Sequence, residues 1–545
     1  MTRFVFLGGL ALTAYAAAPP RWTDITTEAG LAGFRNPQGS PRKDFVYESI
    51  GGGCGFLDYN QDGHLDIVLV RGKTSRRAPD TTPVIALYRN DGRGRFTDVT
   101  RETGIAAGGW GLGVTVADYD NDGWPDLFVT GLERNYLFRN QQGKRFTETA
   151  RAAGVLGAGH WSTGAAFGDL DGDGNLDLYV ASYVDVAAPL PERGSGASCM
   201  YKSAPVFCGP RGLKAAPHHV YRNRGDGTFT DVTRSAGFDR LAPPLYGFQP
   251  VIADFDGDGR QDIFVADDSE VNLLFRNLGG WKFAEEGIAA GVAVNGDGRE
   301  QACMGVAVND ADGDGRLDIL VTNFSEDTNT LYRQYEPGLF EDSSGKSGVG
   351  APSWPFLGWG AAIADFDNDG WNDVVVANGH VYPEADQFRG GSAYRQRLLY
   401  HRNLGKGIFE EIGAAIPALA RPATARGLAY GDFDNDGDLD LLINQQDDAP
   451  RLFRNDQEPG NHSLRIVLRG ARSNRDGIGA LVRVESSDGR VQHSARLGGD
   501  SYLSSSDPRP HFGFGAATAV EVGVRWPSGV EQTIKVKGSA QVVEV

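Results

Sequence analysis

At 545 residues and 40% hydrophobic content, the chain can bury a large core and exceeds the usual span of one compact domain, so a large repeat domain with something smaller beside it is expected. Its 75 glycines and net charge of −18 point to tight turns and acidic loops, and that charge excludes nucleic acid as a partner. After the N-terminus no run approaches the ~20 apolar residues that a membrane span needs.

The chain begins Met1-Thr-Arg3, continues through an apolar run to Tyr15 and reaches Ala16-Ala17-Ala18. These are the charged, apolar and small-residue zones of a secretory signal, so residues 1–18 are expected to be removed and the mature protein secreted, to the periplasm or the cell surface. No cysteine near the cut suggests a lipid anchor. Residues 21–30, RWTDITTEAG, read as the last strand of a repeat unit that has no beginning.

From Asp58 an acidic nonapeptide then recurs seven times. DYNQDGHLD offers Asp58, Asn60, Asp62 and Asp66; DYDNDGWPD offers Asp118, Asp120, Asp122 and Asp126; DLDGDGNLD offers Asp169, Asp171, Asp173 and Asp177. DFDGDGRQD supplies Asp254, Asp256, Asp258 and Asp262, and DADGDGRLD supplies Asp310, Asp312, Asp314 and Asp318. DFDNDGWND supplies Asp365, Asp367, Asp369 and Asp373, and DFDNDGDLD supplies Asp432, Asp434, Asp436 and Asp440. Oxygen ligands at the first, third, fifth and ninth positions, a backbone carbonyl at the seventh and a turning Gly at the sixth form the ligand set of Ca²⁺, whereas Mg²⁺ prefers fewer protein ligands and retained water. An EF-hand closes at position twelve between helices; these loops close at nine between strands. Plain Asp/Gly turns tolerate acids but do not require a fourth one. About seven calcium sites, linked to folding rather than catalysis, are therefore expected.

Around each loop the order is strand, loop, strand, a strand such as NYLFRN and a strand such as RFTETA. Four short strands in roughly 50 residues suit the blades of an all-β, seven-bladed propeller, with a linear β-solenoid as the rival. The ends of the chain discriminate: the last unit stops at LFRND before its fourth strand, and residues 21–30 supply one, closing the ring and removing an exposed edge. The propeller is expected over residues 19–459.

With the acidic loops joining first and second strands, the second-to-third connections emerge on the opposite face. The longest insertions lie there, at 183–219 and 379–397. Cys199 and Cys208, close together in the first insertion, are expected to pair; Cys54 and Cys303 sit at the starts of equivalent strands far apart and read as buried thiols. Trp110, Trp161, Tyr246, Trp354 and Trp359, on the blade-to-blade connections of the same face, together with His380 and Tyr382, form the candidate ligand face for a sugar or peptide. The alternative for each aromatic is that it fills gaps between blades. His380, Tyr382 and Asp386 are a candidate acid/base group, but a lone His in an insertion is more often structural, and His218-His219, without a nearby acidic pair, is no better. Arg224-Gly225-Asp226 spells an adhesion tripeptide but occupies the repeat's own turn between third and fourth strands.

From about residue 460 the acidic repeat stops, and LRIVLRG, ALVRVESS, VEVGVRWP and QTIKVKG predict a small β-domain over 460–545 whose folding would not need calcium. At this point the residues resemble a family. The acidic units are similar to the FG-GAP/VCBS repeats of integrin α-chain propellers. The tail, with Ser473-Asn-Arg-Asp-Gly-Ile-Gly-Ala480, Ser501-Tyr-Leu-Ser-Ser-Ser-Asp507, His511-Phe-Gly-Phe-Gly515 and Arg525-Trp-Pro-Ser-Gly529, is similar to an ASPIC/UnbV domain. Together they resemble bacterial relatives of the cartilage acidic protein family, and Cys208-Gly-Pro-Arg-Gly-Leu213 fits that group. The resemblance implies calcium binding and an extracellular interaction role, and supplies no catalytic residue. The sequence thus points to a non-enzymatic, monomeric, calcium-dependent module that binds an extracellular glycan or protein. The alternative is a polymer-acting lyase or hydrolase with its site on the insertion face.

Overall fold

The apolar run after each acidic loop is too short and too rich in β-branched residues for a helix, and it becomes a strand buried on both faces, as in Asp66–Val70 and Asp373–Asn378. In the computed structural model, which describes residues 20–157, 159–240, 245–388, 390–457, 460–536 and 541–545, such strands assemble into seven four-stranded antiparallel units of a β-propeller. The export signal expected over 1–18 and the domain boundary near 459 lie outside the described residues.

Unit one is Cys54–Leu57, Asp66–Val70, Ile85–Asn90 and Phe96–Asp98 in that order. Units two to six begin with Gly111–Ala117, Ser162–Gly168, Gly247–Ala253, Gln301–Asn309 and Gly358–Ala364. Unit seven takes Ala425–Gly431, Asp440–Gln445 and Arg451–Asp456 from its own stretch and Arg21–Asp24 from the N-terminus, with Arg21 opposite Asp456 and Asp24 opposite Phe453. Units four and five are further bridged where Asp268 and Glu270 pair with Ala302 and Gln301.

Each pair of consecutive units shares an apolar cluster, because residues on alternating faces of one sheet pack on the next. One such cluster joins Val68, Val70 and Leu87 of unit one to Val114, Val116 and Phe138 of unit two. Another joins Phe56, Ile67 and Phe96 of unit one to Ala429, Phe433, Leu442 and Leu452 of unit seven. First and last units thus pack together as neighbours do.

The first strands approach one another closely around the axis, and glycine permits this. A Cβ on Gly305 would lie 2.0 Å from the Trp359 carbonyl oxygen of the next unit, and one on Gly53 would lie 1.8 Å from the carbonyl oxygen of Leu503. In unit four the corresponding place, at the same register shift in the first strand, holds Gln249 instead.

Beyond the propeller, Ser463–Val467, His511–Gly513 and Val542–Glu544 form one small sheet, and Leu481–Ser486, Val491–Ala495, Ala519–Arg525 and Glu531–Lys535 form another. They enclose a core that includes Leu464, Ile466, Val482, Val522 and Trp526. Residues 498–507 leave this domain and run down the propeller axis. There the finger bonds to the first strand of every unit: Phe56 N–H to Ser505 O, Val114 N–H to Leu503 O, Phe167 N–H to Gly498 O and Val306 N–H to Ser501 O. Ala361 N–H donates to Ser501 Oγ, Asp507 N–H donates to Tyr430 O, and Leu503 N–H donates to Gln249 Oε1 at 2.9 Å. The one inner position without glycine therefore supplies the side chain that holds the fingertip.

Cys199 and Cys208 are disulfide-bonded, while Cys54 and Cys303 are free and buried.

Candidate metal centres

The loop motif is built from two left-handed residues and four acceptors. Position four has positive φ in every loop and is Gln61, Asn121, Asn368, Asn435 or one of three glycines; the glycine at position six also has positive φ. This coil turns the backbone N–H groups inward, and in all seven loops the Gly N–H donates to the first aspartate, from Gly63 to Asp58 at 2.9 Å through Gly437 to Asp432 at 2.8 Å.

The ninth-position aspartate is the anchor. Asp66 accepts the N–H of Tyr59 in its own loop and the N–H of Asn90 at the end of the third strand, at 3.2 and 2.8 Å. Asp126, Asp177, Asp262, Asp318 and Asp440 repeat both bonds. Asp373 keeps the bond from Asn403 and takes its second from the Tyr400 hydroxyl.

Carboxylate oxygens then converge. In Asp118/Asp120/Asp122, Asp169/Asp171/Asp177, Asp254/Asp256/Asp262, Asp310/Asp312/Asp318 and Asp365/Asp367/Asp373 the three oxygens lie within 4.8 Å of one another. In loop one Asn60 replaces an acid, and its amide donates to Asp62. Burial pushes Asp66 up to about 8, Asp118 to about 8 and Asp262 to about 7, and raises Asp126, Asp177 and Asp440 well above the usual carboxylate range. Like charges in the same loop add to this. Buried oxygens of Asp171, Asp254, Asp367 and Asp434 have no hydrogen-bond partner. Orphaned hard oxygens, crowded and desolvated, fit a divalent cation taking oxygen ligands.

Two residues of the recurrent Arg-Asn dipeptide tie the loops down. In units two, three, four and six its arginine pairs with the third-position carboxylate: Arg139 with Asp120 at 2.6 Å, Arg222 with Asp171 at 2.7 Å, Arg276 with Asp256 at 2.6 Å and Arg402 with Asp367 at 2.9 Å; in unit seven Arg454 pairs with Asp456 instead. In unit one, where that position is Asn60, Arg89 turns to Glu102. Its asparagine bonds to two loops at once. Asn140 Nδ2 donates to Pro125 O of its own unit and to Tyr59 O of the preceding one; Asn223, Asn277, Asn403 and Asn455 repeat the pattern. In unit five Gln334 reaches Phe255 O of the preceding loop.

The C-terminal domain sits on this loop face. Asp476 accepts the N–H of Asp118, and Arg525 pairs with Asp254 at 2.9 Å. Arg490 donates to Asp369 O, His511 meets Asn368, and Arg465 pairs with Asp432 at 2.7 Å with both side chains buried. A domain expected to fold without calcium is thus docked on the acidic loops.

At the other end of the axis, the expected aromatic shelf is a closed core. Trp110, Trp161, Tyr246, Trp359, His380 and Tyr382 are all buried, and only Trp354 is exposed, at 53%. The insertions cover the mouth: Phe207 and Tyr201 pack on Tyr382, Arg193 pairs with Glu384 and donates to Arg42 O, and Tyr502 of the finger packs on Trp359 from below. Buried Arg426 lies over Trp359 and donates to Ser49, Gly379 and His380 carbonyls. His380 sits between Ser325 and the Tyr382 N–H, held down to about 3 by burial, while Asp386 accepts the Tyr394 N–H. His380 and Asp386 are thus engaged separately. In the Arg224-Gly225-Asp226 turn, Arg224 bonds to Thr230 and Asp226 to Thr228. The Arg-Asn staples, the docking of the C-terminal domain on the loop face and the finger are what sequence reasoning missed. The repeated dipeptide and the string SYLSSSD were their visible signals.

Comparison with known proteins agrees with this geometry. The FG-GAP-like repeat family matches residues 58–129, 118–180, 213–265, 254–321, 310–376 and 390–443, and the ASPIC and UnbV family matches 470–545. The chain therefore belongs to the FG-GAP-like repeat propellers, with an ASPIC and UnbV domain at its C-terminal end. Within them it is a relative of cartilage acidic protein 1: it is 26% identical to the Mus musculus protein over 98% of this chain and 81% of that protein. It is 27% identical to the Homo sapiens protein over 77% of this chain and 60% of that one. Among solved structures, an Agrocybe aegerita lectin specific for non-reducing terminal N-acetylglucosamine is similar at TM-score 0.39 and 19% identity, covering 66% of this chain and 79% of that one. The Dos1 propeller is similar at TM-score 0.36 and 8% identity, covering 76% and 95%.

Proposed function

We propose that this protein is an extracytoplasmic, calcium-loaded binding module, organised as an export signal over 1–18, a propeller over 19–459 and a cap over 460–545. The observation that carries the metal assignment is the convergence of buried carboxylates, several with orphaned oxygens, in a loop motif that recurs around one face. Calcium would be held in each loop by the first, third, fifth and ninth side chains, Asn60 serving in the first. It would neutralise the repulsion that burial imposes and set the loops as a firm floor for the cap.

Recognition of a glycan or protein then falls to solvent-facing surface rather than to the axis. The finger fills the axis, the cap covers one end and the insertions cover the other, so the tryptophans of the mouth act in packing. The outer surface of the insertion lid, cross-linked by Cys199–Cys208 and by Arg193 with Glu384, is the rigid, irregular surface suited to a partner. The relatives named for cartilage and the integrin alpha-6 of Gallus gallus, 28% identical over 31% of this chain, support an adhesion role outside the cell.

Screening the calcium-loaded protein on glycan and peptide arrays, with a lid variant carrying Arg211→Glu and Lys214→Glu, tests this. Binding to one ligand class that the lid variant loses is expected. Retained binding in that variant would move the site off the lid, and silence on both arrays with folded, loaded protein would count against the reading.

A further inference from the structure

Between the loop face of units one and two and the underside of the C-terminal domain lies a cavity of about 530 Å³, within the range of small-molecule sites. Among the described residues, four arginines line it, Arg465, Arg469, Arg496 and Arg509, with two carboxylates, Asp58 and Asp476. Arg465, Arg469 and Arg509 are ion-paired to Asp432, Glu544 and Asp507 at 2.7, 3.7 and 2.7 Å, whereas Arg496 has no carboxylate partner among the described residues.

Two of the arginines are incompletely satisfied. Arg465 and Arg496 are only 2% and 9% exposed, and the Nε of each has no hydrogen-bond partner. Arg465 uses Nη1 on Asp432 and Asn435, and Arg496 uses Nη1 on the carbonyl of Leu497. Arg509 is committed to Asp507 and the Asp432 carbonyl. The Nε groups are shielded from the cavity itself, whereas Nη2 of Arg465 and of Arg496 has no hydrogen-bond partner among the described residues and is the donor left for an incoming acceptor. The remaining wall is largely aliphatic, including Leu57, Val116, Val467 and Leu468, and among the described residues no aromatic ring lines it that would stack on a sugar.

We propose that this cavity binds a small organic anion. A carboxylate or phosphate head faces Arg465, Arg469 and Arg496, and an aliphatic body lies on the apolar wall between cap and propeller. The site is separate from the lid and does not depend on which partner the lid takes. The anion would span both domains and so favour the docked cap.

The test is calorimetric titration of the full chain in excess calcium with octanoate, octyl phosphate and octanol, each below its aggregation threshold. At least one anion is expected to saturate at one per chain, with octanol at least about tenfold weaker, as charge-assisted pairing requires. The tighter of the two anions identifies the head group. Arg469→Glu and Val542→Glu lie at exposed positions on the cavity's rim, so their folding should be unaffected. At least one of them is expected to weaken binding about tenfold or more while the melting temperature holds. Absence of saturable binding by both anions, equal binding of octanol, or indifference to both rim variants would overturn the proposal.

Discussion

The side-chain amide of Asn90 donates to the carbonyl oxygen of Phe433 at 2.9 Å, joining the third strand of unit one to the acidic loop of unit seven across 343 residues of sequence. The same amide donates to Leu65 O in its own loop at 2.9 Å. It is the ring-joining member of the series of staples, and it also links the acidic loops of neighbouring units.

Replacing Asn90 by Ala strips two buried carbonyls of their donor. The expected loss is about 2–4 kcal/mol of stability in urea unfolding, and an exposed control such as Arg93→Ala should stay within about 0.5 kcal/mol. A loss no larger than the control's would show that the staple is incidental.

The finger should stabilise the whole propeller rather than the cap alone, since Tyr502 is fully buried against Trp359 and Phe248 and its hydroxyl donates to Ile50 O. Tyr502→Ala is expected to cost about 3–5 kcal/mol and to raise hydrogen exchange in the first strands of all units, not only within 460–545. Faster exchange restricted to the C-terminal domain would mean that the finger is a passenger.

Close approach of the inner strands makes Gly305→Ala strongly destabilising, because the added methyl would meet the Trp359 carbonyl at 2.0 Å. Gly33→Ala, with open space around it, should be neutral. Comparable melting temperatures for the two variants would refute the packing argument.

Acid should act in opposite directions on metal-free and loaded protein. Without metal, burial holds Asp66 and Asp118 near 8 and Asp262 near 7, above the unfolded value of about 4. The folded state then binds more protons than the unfolded one between about pH 4 and 8, so stability present below pH 4 is lost as pH rises through that window. With calcium bound, the carboxylates must be ionised, and stability should instead rise with pH. Melting curves in chelator and in calcium at pH 5 and pH 8 check both signs; a metal-free protein more stable at pH 8 would contradict the burial argument.

Most of the architecture was legible because the acidic loop recurs in a fixed relation to strands, and because RWTDITTEAG at one end matches the strand missing at the other. Arg21–Asp24 does complete the last sheet. The small β-domain of the cap was legible from its alternating runs, but its docking on the loop face and the path of the finger were not, since SYLSSSD has neither strand periodicity nor turn chemistry and takes its conformation from the strands around it. The tryptophans misled for a related reason. Trp161 and Trp359 lie at the ends of strands, where exposure and burial have the same local sequence, and only the insertions packed above them decide. The arginine of the Arg-Asn dipeptide could have been found by noticing that the unit lacking an acid at position three, with Asn60, is also the one whose fourth strand leads to Glu102.

Calcium titration of the chelated protein, followed by its thermal melt, bears most directly on the claim that the acidic loops are calcium sites on which the fold and the docked cap depend. Several sites binding only the folded chain should raise the midpoint by more than about 10 °C, with magnesium much less effective. A midpoint that does not move with saturating calcium would contradict the account.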